Sequence, residues 1–242
     1  MRKRICCLFV VLCANYFVAD RIWSADRQVT AKSVSRTKPA SESVEVRDFE
    51  VRVDNKPVGT HRLKIESDKD VEKVEIQTDV KVDVVVYAYV FKFRGTETWR
   101  AGRLDDYEMR CEDGGKKRAF SLKTDGSTQQ LSLNGKSLPD ASHIVMTTSY
   151  WKLPPANLRD KALRIVDVDQ GAARDATWSL IGTDPVPSGS QSLKCQHFKI
   201  DGPSPAELWF DDQDRLVRQK SLEQGHWTEL RLKQIKIVKD ES

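Results

Sequence analysis

Histidine, cysteine and methionine are scarce in this chain. Its 242 residues include four histidines, five cysteines and three methionines. The histidines, His61, His143, His197 and His226, are far apart, and none pairs with another at metal-ligand spacing. No metal centre or cofactor is therefore expected. Three cysteines, Cys6, Cys7 and Cys13, crowd into the first 25 residues, which leaves Cys111 and Cys195. In an oxidising compartment those two admit one disulfide, worth about 4 kcal/mol. Two separate buried thiols are the alternative.

Recognisable catalytic and phosphate-binding motifs are missing as well. There is no Gly-x-Ser-x-Gly elbow, and Ser188-Gly189-Ser190 sits in a proline-bounded stretch without a neighbouring histidine. Asp113-Gly114-Gly115-Lys116 imitates a phosphate loop, but it separates two strand-like runs instead of preceding a helix, so it reads as a hairpin turn. Glycine (12) and proline (9) are too few for a collagen-like or low-complexity chain. No short-period repeat of the solenoid or propeller kind occurs.

A long apolar run occurs at the N-terminus. Arg2, Lys3 and Arg4 precede an apolar stretch from Ile5 to Ala19, broken only by Asn15. This is the layout of an export signal over residues 1–25, too short for a comfortable membrane span. A retained anchor is the alternative, since Trp23 is bulky for a cleavage site ending at Ser24-Ala25. Val10-Val11-Leu12 lacks the small residue that lipid attachment at Cys13 would need. The expected location is periplasmic or secreted.

The leader also accounts for most of the charge. The whole chain carries +4, of which residues 1–25 supply +3 (Arg2, Lys3, Arg4 and Arg21 against Asp20), leaving +1 for the rest. A nucleic-acid-binding fold keeps a basic surplus, so no nucleic-acid partner is expected.

Residues 26–43 are small and polar and read as a flexible tether. From residue 44 to 242 the pattern is strand after strand, read as a single antiparallel β domain. Val74, Ile76, Thr78, Val80, Val82, Val84 and Val86 share one face, with Glu75, Gln77, Asp79, Lys81 and Asp83 on the other. Only a strand wetted on one side has that period of two. Asp54-Asn55, Asp113-Gly114-Gly115, Asp125-Gly126 and Asn134-Gly135 mark hairpin turns. Pro154-Pro155 followed by Ala156 to Leu163 predicts one short helix. Later strands are expected near 172–182, 190–200, 205–210, 214–222 and 227–238. Phase slips between Leu230-Leu232 and Ile235-Ile237, and between Leu193-Cys195 and Phe198-Ile200, predict bulges. The expected fold is all-β: a long curled antiparallel sheet or half-open barrel with one or two short helices.

The candidate site follows from one anomaly. After Asp83 the polar phase disappears, and Val85, Tyr87, Tyr89, Phe91 and Phe93 oppose Val84, Val86, Ala88 and Val90. The chain is expected to kink there and begin a strand that is apolar on both sides, needing cover from the core and from a helix, a loop or a ligand. Glu97 and Trp99 continue the same phase. A buried Glu97 needs a partner such as an arginine, or its pKa rises. It serves either strand register or, with a histidine such as His61 or His197, general-acid work.

The order of several short pieces resembles a family of uncharacterised exported bacterial proteins, a domain of unknown function. They are Phe49-Glu50-Val51 with Gly59-Thr60-His61; Tyr87-Ala88-Tyr89 with Glu97-Thr98-Trp99 and Gly102-Arg103-Leu104; Tyr150-Trp151; and Glu207-Leu208-Trp209-Phe210-Asp211 with Arg215-Leu216-Val217. Cys111 stands where the family is expected to have a small polar residue, so no bridge is carried over. The stretch from Trp209 to Val217 is also similar to the strand–turn–strand of periplasmic lipoprotein carriers. Neither resemblance implies catalytic residues. Two functions remain open beside the hydrolase. One is a non-enzymatic exported protein sheltering a lipid or other hydrophobic or amphiphilic ligand against Val85, Tyr87, Tyr89, Phe91, Phe93, Glu97 and Trp99. The other is a structural or assembly partner of the cell envelope with a filled core.

Overall fold

Fifteen strands make up this computed structural model, which describes residues 43–239 apart from 85–86, 140–143, 168–171, 189–190, 203 and 224, with the backbone alone at 83–84 and 87–88. The first eight strands are β1 Ser43–Val53, β2 Lys56–Asp68, β3 Val71–Val84, β4 Tyr87–Arg100, β5 Arg103–Asp113, β6 Lys116–Asp125, β7 Thr128–Leu133 and β8 Lys136–Leu138. After a two-residue β9, Met146–Thr147, come β10 Ala162–Asp167, β11 Ala172–Ser188, β12 Gln191–Asp201, β13 Ala206–Phe210, β14 Leu216–Glu223 and β15 His226–Lys239.

All of them belong to one sheet in the order 8-7-6-5-4-3-2-1-15-14-13-12-11-10-9. Two meanders are thus sewn together along a β1–β15 seam running from Ser43↔Lys239 to Val53↔Thr228. Every pairing is antiparallel except β9–β10. The sequence-based hairpins fall where expected. Asp54-Asn55 and Asn134-Gly135 both hold left-handed conformations, with φ of 48° and 65° and of 50° and 77°, which suits the twist of a two-residue hairpin. The kink near Asp83 is a full reversal: Val84 pairs with Tyr87.

Bulges bend the sheet where the phase slips occur. Asp48 pairs with Gln234 but Phe49 with Leu232, leaving Lys233 as the extra residue of β15. On β11 the extra residue is Ile181, opposite the Cys195-to-Phe198 slip of β12. Gly59 marks a third irregularity, between Val51 and Arg52 of β1. A Cβ there would lie 2.1 Å from the Asp79 carbonyl oxygen, so only glycine fits.

The curled sheet encloses one apolar cluster drawn from both meanders, including Phe49, Trp99, Tyr107 and Leu122 from the first and Trp178, Phe198, Phe210 and Leu216 from the second. Its two edges do not join by backbone pairing. Instead the Gln129 side chain of β7 imitates a strand partner: Ile144 N–H donates to its Oε1 at 2.8 Å, and its Nε2 donates to the Ile144 carbonyl at 3.4 Å.

The expected helix over 156–163 does not form. A single 3-10 turn covers Ala156–Leu158 and buries none of its residues, and β10 begins at Ala162. Leu163 and Ile165 are needed on the inner face, where they are 4% and 2% exposed, and alternation suits that better than one helical turn. The disulfide is not formed either. Cys111 on β5 and Cys195 on β12 are buried and unbridged, with seven strands between theirs in the sheet.

Candidate functional site

Alternation along β4 decides what each aromatic residue does. Odd positions face inward: Phe93, Glu97 and Trp99 are buried, whereas Lys92, Arg94 and Arg100 are exposed. Gly95 leaves room for the Phe93 ring, since a Cβ there would meet its Cε1 at 2.9 Å. Toward the start of the strand the cover thins. Phe91 is half-buried against the core, and Tyr89 is half-buried with its hydroxyl donating to Asp113 Oδ1 at 2.6 Å. The strand is therefore not sandwiched on both sides along its described length. Val85 lies outside the described residues, as does the side chain of Tyr87.

Glu97, 0% exposed, is the centre of the site. Trp99 Nε1 donates to its Oε2 at 2.8 Å, and Trp151 Nε1 donates to the same oxygen at 3.0 Å. Thr147 Oγ1 donates to Oε1 at 2.6 Å, and the Ser149 hydroxyl lies 2.6 Å from that threonine oxygen. Removal from water raises the carboxyl pKa above its ordinary value, and the hydroxyl and indole donors pull it partly back. Both indoles donate to Oε2 and Thr147 donates to Oε1, so neutral donors engage both carboxyl oxygens.

Of the two expectations for a buried Glu97, a charged partner such as an arginine or a raised pKa, the second holds: its hydrogen-bond donors are neutral. Cations lie one layer away. Lys152 Nζ sits 4.2 Å from the Trp99 ring centroid and 4.4 Å from that of Trp151, and it pairs with Glu72 at 2.8 Å. Arg47 Nη1 donates to the Trp151 carbonyl at 2.6 Å. Arg47 occupies the inward phase of β1 and is 4% exposed; burial lowers its pKa, and its ion pair with Glu45 opposes that.

The covering element is therefore the segment 144–153. Ile144, Met146, Thr147, Tyr150, Trp151 and Leu153 are all buried. Its start runs along β10 (Val145 N to Arg164 O, 2.9 Å; Thr148 N to Val166 O, 3.0 Å), and its end bridges Lys152 to Arg215 beyond β13. Between these anchors it crosses the inner face and meets β4. Trp99 and Trp151 make an edge-to-face pair at 6.2 Å.

Among the described residues, neither His61 nor His197 is hydrogen-bonded to Glu97. His61 is buried on β2, with Nδ1 2.8 Å from Thr78 Oγ1 and its ring edge-on to Phe49; burial lowers its pKa to about 4. His197 stacks on Trp209 at 4.1 Å, with Nδ1 2.7 Å from Asp184 and Nε2 3.1 Å from Glu207. His143 lies outside the described residues. Among the described residues no cluster of three His, Cys, Asp or Glu side chains is arranged to hold a metal ion.

Sequence reasoning brought Glu97 and Trp99 together but missed Arg47, Thr147, Ser149 and Lys152. Arg47 had a signal, since it shares the phase of Phe49 and Val51. The others come from a segment without a period, so only the tertiary path reveals them.

A crystal structure described as a beta-barrel-like protein of domain of unknown function DUF1849, from Brucella abortus, has the same fold. Its TM-score is 0.58 at 12% identity, covering 82% of this chain and 98% of that one. None of the curated proteins matches the chain. A family model described as domain of unknown function (DUF6134) matches residues 49–233, which include β4, the covering segment and the Phe49–Val53 half of the β1–β15 seam; the chain belongs to that family.

Proposed function

We propose that this is a non-enzymatic exported protein that acts as a structural or assembly partner in the cell envelope, its interior filled by its own chain. One observation carries the reading. Thr147, Tyr150, Trp151 and Leu153 occupy the inner face beside Glu97 and Trp99, where an apolar ligand was expected to lie. A ligand there would have to displace two indoles, a buried carboxylate and the bonds between them, which costs far more than one apolar contact returns.

Native mass spectrometry of protein purified from its own host tests this. The mass of the polypeptide alone is expected, and a stoichiometric co-purifying amphiphile would overturn the reading. Photo-cross-linking in intact cells from outward positions such as Lys64 is expected to yield discrete heavier adducts.

A second reading keeps a hydrophobic ligand at the other end of the stripe. Half-exposed Tyr89 and Phe91 favour it. An environment-sensitive apolar dye that brightens with the native protein, and loses that signal in Phe91→Ser, would support this version.

A further inference from the structure

Across β3 to β7 the solvent face of the sheet dips into a trough of about 380 Å³. The register sets its chemistry. One row across the strands runs Gln77, Arg94, Arg110 and Ala119, and the next runs Glu75, Thr96, Glu108, Ser121 and Ser132. These are outward positions, so the trough is separate from the Glu97 site on the inner face.

Arg94 and Arg110 are directly opposed across β4 and β5. Like charges in that arrangement destabilise a sheet. Arg94 is already committed: Nη2 donates to both Asp79 oxygens at 2.8 Å, and Nη1 donates to the Phe93 and Thr78 carbonyls at 2.7 and 3.0 Å. Arg110 is exposed and makes no ion pair among the described residues. Two positions along the strand, about 7 Å away, Glu108 has only the hydroxyl residues Thr96 and Ser121 opposite it. The Ser121 and Ser132 hydroxyls lie 2.9 Å apart, so the floor is low and polar between longer side chains.

Such a surface suits a ligand with an anionic group against Arg110 and hydroxyls against the Glu108 row. Hydroxyls both donate and accept, as do the serines and threonine beneath them. A carboxylate takes a guanidinium fork in two parallel bonds. An extended peptide finds less, because the backbone under the trough is used up in the β3–β7 ladders and offers no edge. We propose that this trough binds an acidic, hydroxyl-rich carbohydrate chain, with its carboxylate on Arg110 and its hydroxyls on Glu108, Thr96 and the Ser121–Ser132 pair.

Titration calorimetry of the full protein with tetragalacturonate, neutral maltotetraose and tetraglutamate tests it. Tetragalacturonate is expected to bind with Kd below about 1 mM, and maltotetraose at least about tenfold more weakly. Arg110→Glu and Arg110→Gln should each weaken the acidic sugar about tenfold or more. Arg103→Glu, at the exposed β4–β5 turn outside the trough, should leave it unchanged. Because Arg110→Glu removes a like-charge pair, it should unfold at the same or higher urea than the parent, which separates lost binding from lost fold. Absent binding, equal affinity in Arg110→Glu, or tetraglutamate binding as tightly as the sugar would overturn the proposal. None of these outcomes bears on the filled interior, which is read from mass and not from sugar binding.

Discussion

Glu97 shows how one carboxyl group sets local stability. Glu97→Ala removes the acceptor for two buried indole N–H groups and a threonine hydroxyl, and is expected to cost about 3–5 kcal/mol in urea unfolding. Glu97→Gln keeps a carbonyl for the indoles and an amide N–H for Thr147, so a loss within about 1 kcal/mol is expected near pH 4.5. The two proteins should then diverge with pH. Glu97 holds its proton more tightly when folded than its ordinary 4.5. Its contribution is therefore full below about pH 4.5 and is lost as pH rises through the folded value, a decline that Glu97→Gln should lack. His61 works in the opposite sense. Its pKa falls from 6.5 to about 4 on folding, so its contribution is full above pH 6.5 and is lost as pH falls toward 4, by about 3 kcal/mol. His61→Gln should flatten that part of the curve in urea titrations between pH 4 and 7.

At the scale of elements, close approach and covering decide what the chain tolerates. Gly59→Ala drives a methyl group into the Asp79 carbonyl. It is expected to cost about 3 kcal/mol or more, or to prevent folding. Gly182→Ala meets nothing within 4 Å at an ordinary φ and should change stability by less than about 0.5 kcal/mol. Urea midpoints of the two variants give the comparison. Elements were also where sequence reading succeeded and failed most clearly. Alternation located β3, β4 and four of the five late strands to within a few residues, and the start of β11 but not its end at Ser188, because period two is a local property of the chain. The stretch after Pro154-Pro155 misled because a proline pair and helix-tolerant residues describe local preference, while burial of Leu163, Ile165 and Val166 favoured a strand.

The whole molecule depends on the seam between its first and last long strands. β1 pairs with β15 along its full length, so the two meanders share one core and should unfold together. Cys111 and Cys195 report on the two halves. Both are buried, and burial with nearby carboxylates pushes the Cys195 thiol up to about 11. In protein beginning at residue 26, both thiols are expected to resist an aromatic disulfide reagent in buffer and to become reactive over the same urea range. Labelling of Cys195 at clearly lower urea than Cys111 would show that the halves fold separately. Non-local pairing at the seam also implies slow refolding, in the range of milliseconds to seconds.

Composition and alternation by themselves determined an all-β chain, four of its hairpin turns, two of its bulges and the shared phase of Phe93, Glu97 and Trp99, because each of these depends on residues within a few positions of one another. Tertiary structure decided the rest. Whether Glu97 met a cation, a histidine or neutral donors depended on residues about 50 positions away, and the path of residues 144–153 across the inner face placed Thr147 and Trp151 there. Burial then raised the pKa of Glu97 and left the apolar stripe covered at one end and half-open at the other, since solvent access is a property of the folded surface and not of the chain.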